Sequence, residues 1–106
     1  MSSAAAPPFV SYSSMSEAVV PASEWPYLYA SLQALKAHVQ EYPGCQRMEA
    51  WVAVDDDGSM RIHCYTTWDT AEQLDVFLEL GYTFDRLLRD VGLSRAERSL
   101  VMEKLF

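Results

Sequence analysis

Residues 45–68 read CQRMEAWVAVDDDGSMRIHCYTTW, and this stretch decides the fold. Residues that favour strands lie on both sides of the turn sequence DDDGS at 55–59. A three-residue loop with Gly58 in the left-handed conformation would pair Asp55 with Ser59. The stretch therefore predicts a bulged β-hairpin with two long strands.

In this register, the predicted strands 45–54 and 60–68 sort their side chains onto two faces. One face receives the plainly apolar residues together with one threonine: Met48, Ala50, Val52, Val54, Met60, Ile62, Cys64 and Thr66. The opposite face receives the remaining residues: Arg47, Glu49, Trp51, Ala53, Arg61, His63, Tyr65 and Thr67. Because a shift of one residue would mix the two sets, the pattern predicts this register. We expect helices to cover the apolar face.

A helix is predicted on the upstream side of the hairpin. Ser23 is a candidate N-cap, and Pro26 lies in the first turn, where its missing amide donor costs little. Pro43-Gly44 ends the helix. Apolar residues recur between these points at three- and four-residue spacing: Trp25, Leu28, Leu32, Leu35, Val39 and Tyr42.

A second helical segment is predicted on the downstream side. Asp69 or Thr70 caps it, and Gly81 is expected to break it. The side chains predicted to face inward are Leu74, Phe77, Leu78, Phe84, Leu87, Leu88 and Val91.

The ends of the chain complete the topology. Residues 9–20 suit a first strand, and residues 100–106 suit a last one. Before the last strand, Ser94 and Glu97 form a possible capping box for a short turn of helix. The order β-α-β-β-α-β is the split, ferredoxin-like α+β arrangement, an antiparallel sheet with both helices on one face. We expect residues 1–8 to be a disordered leader, not a signal peptide, and 9–106 to be one domain.

Composition excludes several classes of partner. The chain has 106 residues and a net charge of −7, and its eight basic residues do not cluster, which disfavours nucleic acid and anionic membrane. No apolar run approaches the length of a membrane span. Two cysteines are too few for a disulfide scaffold, so a reduced, cytoplasmic protein is expected. Cys45 and Cys64 are predicted to lie on opposite faces and to stay unpaired.

Common catalytic motifs are absent from the sequence. No serine lies in a nucleophile elbow, no glycine-rich loop precedes a helix, and no helix carries HExxH. Two histidines far apart in the pattern provide no metal-ligand cluster. His63 is either an interface or surface histidine or a proton-transfer group, and Asp55 to Asp57 form a solvated hairpin tip.

Aromatic residues supply the remaining candidate site. Trp68 ends the apolar face of the hairpin, and Arg86 or Arg89 could reach the rim of a gap between sheet and helices. The other residues that could line this gap are Tyr12, Ser14, Met15, Phe77, Tyr82 and Phe84. Such a gap would suit a planar organic ligand. The alternative, a packed core without a gap, stays open.

The chain from residue 9 to 106 resembles the antibiotic biosynthesis monooxygenase superfamily of dimeric α/β barrels. The resemblance is carried by the helix that ends in YPGC at 42–45, by the hairpin, and by YTTWDTAEQL at 65–74. The last segment resembles the superfamily's strand-end tryptophan, short turn and following helix. The resemblance implies the same fold and a homodimer that pairs sheet against sheet through Trp51, His63 and Tyr65.

The resemblance also implies a chemistry. Related enzymes oxidise polycyclic anthrones to quinones with no metal, flavin or other cofactor, because the substrate carbanion itself reduces oxygen. Trp68 matches their functional tryptophan, whereas Cys64 and Leu74 stand where an asparagine and a tyrosine are expected. The expected arginine falls near Leu88, with Arg86 and Arg89 as its neighbours. The haem-degrading branch is excluded because no histidine stands at the iron-ligating position.

Two functions follow from these expectations. The first is a cofactor-independent monooxygenase that acts on an aromatic or polyketide-like small molecule. The second is a non-catalytic dimeric ligand-binding or accessory module of the same fold. The predicted catalytic residues are Trp68, Arg86 and Tyr82, and the predicted substrate-binding residues are Tyr12, Cys64, Phe77 and Phe84.

Overall fold

The computed structural model describes residues 11–93 and 98–106, and its elements alternate as the sequence predicts. They are β1 (Tyr12–Val20), a 3-10 turn (Ala22–Glu24), α1 (Trp25–Val39), β2 (Cys45–Val54), β3 (Met60–Trp68), α2 (Ala71–Leu80), α3 (Phe84–Asp90) and β4 (Arg98–Glu103). The strands form one antiparallel sheet in the order β2-β3-β1-β4. The ferredoxin-like fold class is confirmed, with the second helical segment divided into α2 and α3.

The hairpin between β2 and β3 has the predicted register. Trp51 lies opposite His63, and Val52 lies opposite Ile62. The Asp55 amide donates to the Ser59 carbonyl at 2.8 Å, and Gly58 has a φ of +88°. Alternation with a period of two sets this register, because Met48, Ile62 and Cys64 on one face of the hairpin pack into the core. The expectation that helices cover the whole apolar face is wrong, since Val52 is 46% exposed and Val54 is 67% exposed.

The predicted face of Cys45 is also wrong. A β-bulge between Cys45 and Arg47 places Cys45 opposite Trp68. The extra residue reverses the alternation, so Cys45 lies on the same face as Cys64 and packs partly against the core. Both thiols are free, as expected.

The start of α1 also differs from the prediction. Ser23 lies inside the 3-10 turn that follows Pro21, and no side chain caps α1. Pro26 occupies the first turn of the helix, as predicted. The helix ends at Val39, so Tyr42 lies beyond it, although Tyr42 still packs partly against the core.

The second helical segment divides where the sequence predicts. The Thr70 hydroxyl accepts a hydrogen bond from the Gln73 amide at 3.1 Å and caps α2. Gly81 follows α2, and the Thr83 side chain caps α3. Leu78 is an exception among the predicted inward residues, because it is 37% exposed.

The ends of the domain lie partly outside the described residues. This applies to the leader, to the first residues predicted for β1, and to the capping box of Ser94 and Glu97. The last strand occupies Arg98–Glu103 and not residues 100–106, because it ends with its pairing to β1. Among the described residues, no helix is long and apolar enough to span a membrane.

Candidate ligand-binding cleft

Trp68 is packed inside the layer between sheet and helices. It is fully buried and stacks on Phe77 with ring centroids 5.0 Å apart and an interplanar angle of 29°. The Tyr42 ring meets Phe77 edge-on at 5.5 Å. Since stacked rings at this separation leave no room for a third ring between them, the packed-core alternative describes the surroundings of Trp68.

A chain of hydrogen bonds leads from Trp68 to β1. The indole Nε1 donates to the Thr66 Oγ1 at 2.9 Å, and this oxygen lies 2.5 Å from the Ser14 Oγ. Thr66 and Ser14 are both buried. If the Thr66 hydroxyl donates to Ser14, the Ser14 proton is left to donate to a third group.

Ser14 and Thr66 also border a small internal cavity. Its volume is about 20 Å³, close to that of one water molecule. Three predicted substrate-binding residues line it together, namely Cys64, Phe77 and Phe84. Burial raises the pKa of the Cys64 thiol to about 12, so this thiol stays protonated at neutral pH and provides neither a base nor a nucleophile.

A larger cleft adjoins this cavity. It has a volume of about 640 Å³ and lies where α2 and α3 face β1 and β4. Cleft and cavity share four lining residues: Ser14, Ser16, Leu78 and Thr83. Because Ser14 belongs to both, the hydrogen-bonded chain from Trp68 ends at the wall of the cleft.

Basic side chains line the mouth of this cleft. Arg86 and Arg89 come from α3. Arg98 borders the cleft on the edge strand β4, but it lies opposite Glu17, toward the open face of the sheet. The Arg86 Nη2 donates to the Glu79 carbonyl at 3.3 Å. The Arg89 guanidinium forms an ion pair with Asp85 at 3.2 Å. Arg86 is therefore the predicted catalytic residue that the structure brings to the cleft.

Two other predicted residues lie elsewhere. Tyr82 faces α1, where it lines a separate groove with His38. Its hydroxyl donates to the Asp90 carboxylate at 2.5 Å, and this bond raises the pKa of Tyr82. Tyr12 lies opposite Trp68 in the sheet and packs partly against the core, away from the cleft lining.

The face of the sheet opposite the helices carries a second group of interacting side chains. Trp51 is 63% exposed there and borders a shallow groove with His63 and Tyr65. The His63 Nε2 lies 2.6 Å from the Glu17 carboxylate, and Arg61 lies 3.6 Å from the same oxygen. These contacts lower the pKa of Glu17, chiefly through the hydrogen bond to His63. In the described ranges, no group of three or more histidine, cysteine or acidic residues could hold a metal.

The hydroxyl residues of the cleft were the part of the site that sequence reasoning undervalued. Ser14 is among the predicted lining residues, but its pairing with Thr66 depends on β1 lying beside β3. A signal was available in the sequence, since Ser14 and Ser16 occupy inward positions of a predicted strand where apolar residues are expected. Small polar residues at such positions indicate a polar pocket.

Solved structures with the same fold are known, although no protein-family model and no curated protein matches the chain. A protein from Nitrosomonas europaea that carries the name of an antibiotic biosynthesis monooxygenase is 14% identical, with a TM-score of 0.71 over 92% of this chain and 93% of that one. A protein of the same name from Chloroflexus aurantiacus is 18% identical, with a TM-score of 0.60 over 91% and 94%.

A conserved protein from Methanosarcina mazei, whose name states no activity, matches as well. It is 8% identical, with a TM-score of 0.65 over 91% of this chain and 92% of that one. Identities this low carry an argument about fold and not about reaction. The predicted resemblance is thus confirmed at the level of structure, and the chain has the fold of the antibiotic biosynthesis monooxygenases.

Proposed function

We propose that this protein is a monooxygenase that uses no metal or flavin and acts on an aromatic small molecule bound in the cleft between α3 and β4. The observation that carries the proposal is the cleft itself. Ser14 lies in its lining with its hydroxyl bonded to Thr66, and Arg86 and Arg89 are exposed along it. The fold shared with the Nitrosomonas and Chloroflexus structures, whose names are those of monooxygenases, makes this the reaction class to test first.

The reaction would oxidise a ring CH₂ group that lies next to a carbonyl, as in an anthrone. Loss of one proton gives an enolate, whose electrons reduce oxygen and form a carbon–oxygen bond. Loss of water from the resulting hydroperoxide then gives the quinone. The carbon exchanges two hydrogens for one oxygen atom, and the second oxygen atom leaves as water, so no further reductant is required.

The residues of the cleft would favour the enolate over its neutral form. Arg86 and Arg89 are exposed at the mouth, where positive charge lowers the pKa of a bound acidic CH₂ or enol and solvent accepts the proton. Ser14 would donate to the developing oxyanion, with its hydroxyl oriented by Thr66. Trp68 would act through Thr66 and not by direct contact with the substrate.

Oxygen consumption tests this proposal. The metal-free, flavin-free protein is mixed with dithranol, a hydroxylated anthrone, in the presence of chelator, and quinone formation is followed alongside oxygen uptake. We expect turnover above the rate of spontaneous oxidation, lowered in Ser14→Ala and Arg86→Gln and kept in Lys36→Gln. Lys36 lies on α1 outside the cleft and controls for loss of one positive charge. Rates equal to the protein-free reaction would refute the oxygenase proposal.

A non-catalytic binding module is the second candidate function. The packing of Trp68 against Phe77 favours it, because the aromatic layer holds no space for a polycyclic substrate. The cleft would then bind a ligand without turnover. Saturable binding of dithranol under nitrogen, combined with no catalysed oxygen uptake in air, would establish this candidate.

We also propose that the protein is a homodimer that pairs the open sheet faces. Trp51, His63 and Tyr65 would form the centre of the interface, since a large exposed indole beside a second aromatic ring is typical of an interface anchor. A two-fold interface uses the same patch on both copies.

A further inference from the structure

The balance of charge at the cleft differs from that of the whole chain. The protein carries −7 overall. Among the residues that line the cleft, however, the cations on the side of the helices are Arg86 and Arg89, and the anion is Asp85. Arg98 borders the cleft from the edge strand β4, but it lies opposite Glu17 and its charge acts on that carboxylate on the open sheet face. A basic cleft on an acidic protein concentrates anionic ligands at that place and repels them elsewhere.

Each of the two exposed arginines on α3 makes a polar contact near the cleft. The hydrogen bond from Arg86 to the Glu79 carbonyl directs its guanidinium toward the end of α2. Arg89 lies about one helical turn beyond Arg86 on α3 and forms an ion pair with Asp85. Each guanidinium has five N–H donors in a planar fork, and the contacts with Glu79 and Asp85 each involve a terminal nitrogen.

The rest of the lining divides into an apolar part and a hydroxyl part. Leu78 is partly exposed toward the cleft, and Val101 lies on β4 with 60% of its surface accessible. The Ser16 and Ser99 hydroxyls lie 3.2 Å apart across the two strands. A ligand that fits all three parts has an anionic end, a flat apolar body and a polar inner substituent.

We propose that the cleft selects an aromatic acid, with a carboxylate bound by Arg86 and Arg89 and a ring hydroxyl directed toward Ser14. A planar carboxylate matches the fork of a guanidinium, which binds it through two parallel hydrogen bonds. This inference rests on the proposed function, because it assumes that the cleft is the ligand site. It goes further by naming the ionised substituent that sets specificity.

Calorimetric titration with three matched probes tests the inference: 3-hydroxy-2-naphthoate, its methyl ester, and 2-naphthol. We expect the acid to bind at least tenfold more tightly than the ester at low salt, and this preference to shrink at high salt. Arg86→Gln and Arg89→Gln should each weaken binding of the acid about tenfold and leave the ester unchanged. The affinity of Arg86→Lys for the acid should lie between those of the wild type and Arg86→Gln, because lysine keeps the charge and loses the planar fork of donors.

Lys36→Gln is the control for net charge, and urea midpoints check that every variant folds. Equal affinity of acid and ester, unaffected by Arg86→Gln, would overturn the substrate class while leaving the cleft as a ligand site. Absence of binding by all three probes would overturn the inference, and the dithranol oxygen assay then decides the proposed function separately. Stronger binding of the ester would also overturn the inference.

Discussion

Replacement of Thr66 by valine is the most direct test of the buried chain that links Trp68 to the cleft. The two side chains have nearly the same shape, so the substitution removes a hydroxyl and leaves little cavity. The Trp68 Nε1 would lose its 2.9 Å acceptor while the indole stays fully buried. A buried donor without a partner costs about 1–3 kcal/mol, and we expect a loss of about 2 kcal/mol.

The tryptophan partner provides the second arm of the experiment. Trp68→Phe removes the same N–H and reduces the stacking on Phe77, which we expect to cost about 2–3 kcal/mol. In the double variant no indole N–H remains to be stranded. The valine substitution should therefore cost about 1–2 kcal/mol less in the W68F background than in the wild type.

Equilibrium unfolding in urea measures all four proteins. With a slope of roughly 1.5 kcal/mol per molar, the loss expected for Thr66→Val moves the midpoint by about 1.3 M. Additivity of the two substitutions within about 0.5 kcal/mol would refute the reasoning, because it would show that the indole N–H has no energetic link to the Thr66 hydroxyl.

Three further predictions concern the hairpin and the open sheet face. Gly58→Val should destabilise the protein by about 1–2 kcal/mol, because a φ of +88° strains a β-branched residue. No atom lies within 4 Å of an added Cβ, so the cost comes from the backbone and not from a clash. An unchanged urea midpoint would contradict this strain. The lowered pKa of Glu17 means that its stabilising contribution is present above the ordinary value of 4.5 and disappears as pH falls through the folded value. Glu17→Gln should therefore lower stability at pH 7 and flatten the acid decline, and parallel pH curves would show that the ionised Glu17 carboxylate does not stabilise the fold. Trp51→Ala should convert a dimer into a monomer in sedimentation velocity at micromolar concentration, whereas a monomeric wild type would refute the proposed interface.

Local patterns were enough to predict the hairpin and the two helical segments. Alternation around the DDDGS turn predicted every cross-strand pair from Arg47–Thr67 to Val54–Met60. Such patterns succeed because neighbouring residues set the geometry of a turn and the period of a strand. The same reasoning did not predict the bulge beside Cys45. The extra residue moves a side chain to the other face of the strand, and no residue type in the sequence indicates where it is inserted.

The candidate site depended on distances between elements that are remote in the chain. The period of two along β3 placed Trp68 on the inner face of the sheet, and helical spacing placed Phe77 and Phe84 on the inner side of the helices. Neither pattern could show whether the layer between them was open or packed. The approach of α2 to the sheet decides that question, and it brings Phe77 onto Trp68 and closes the space to about 20 Å³. The contact of Ser14 with Thr66, 52 residues apart, likewise exists because β1 inserts between β3 and β4. Residue type and period thus determined which side chains face inward, whereas the packing of whole elements decided where a ligand-sized space remains, because that space is what the packed side chains leave unfilled.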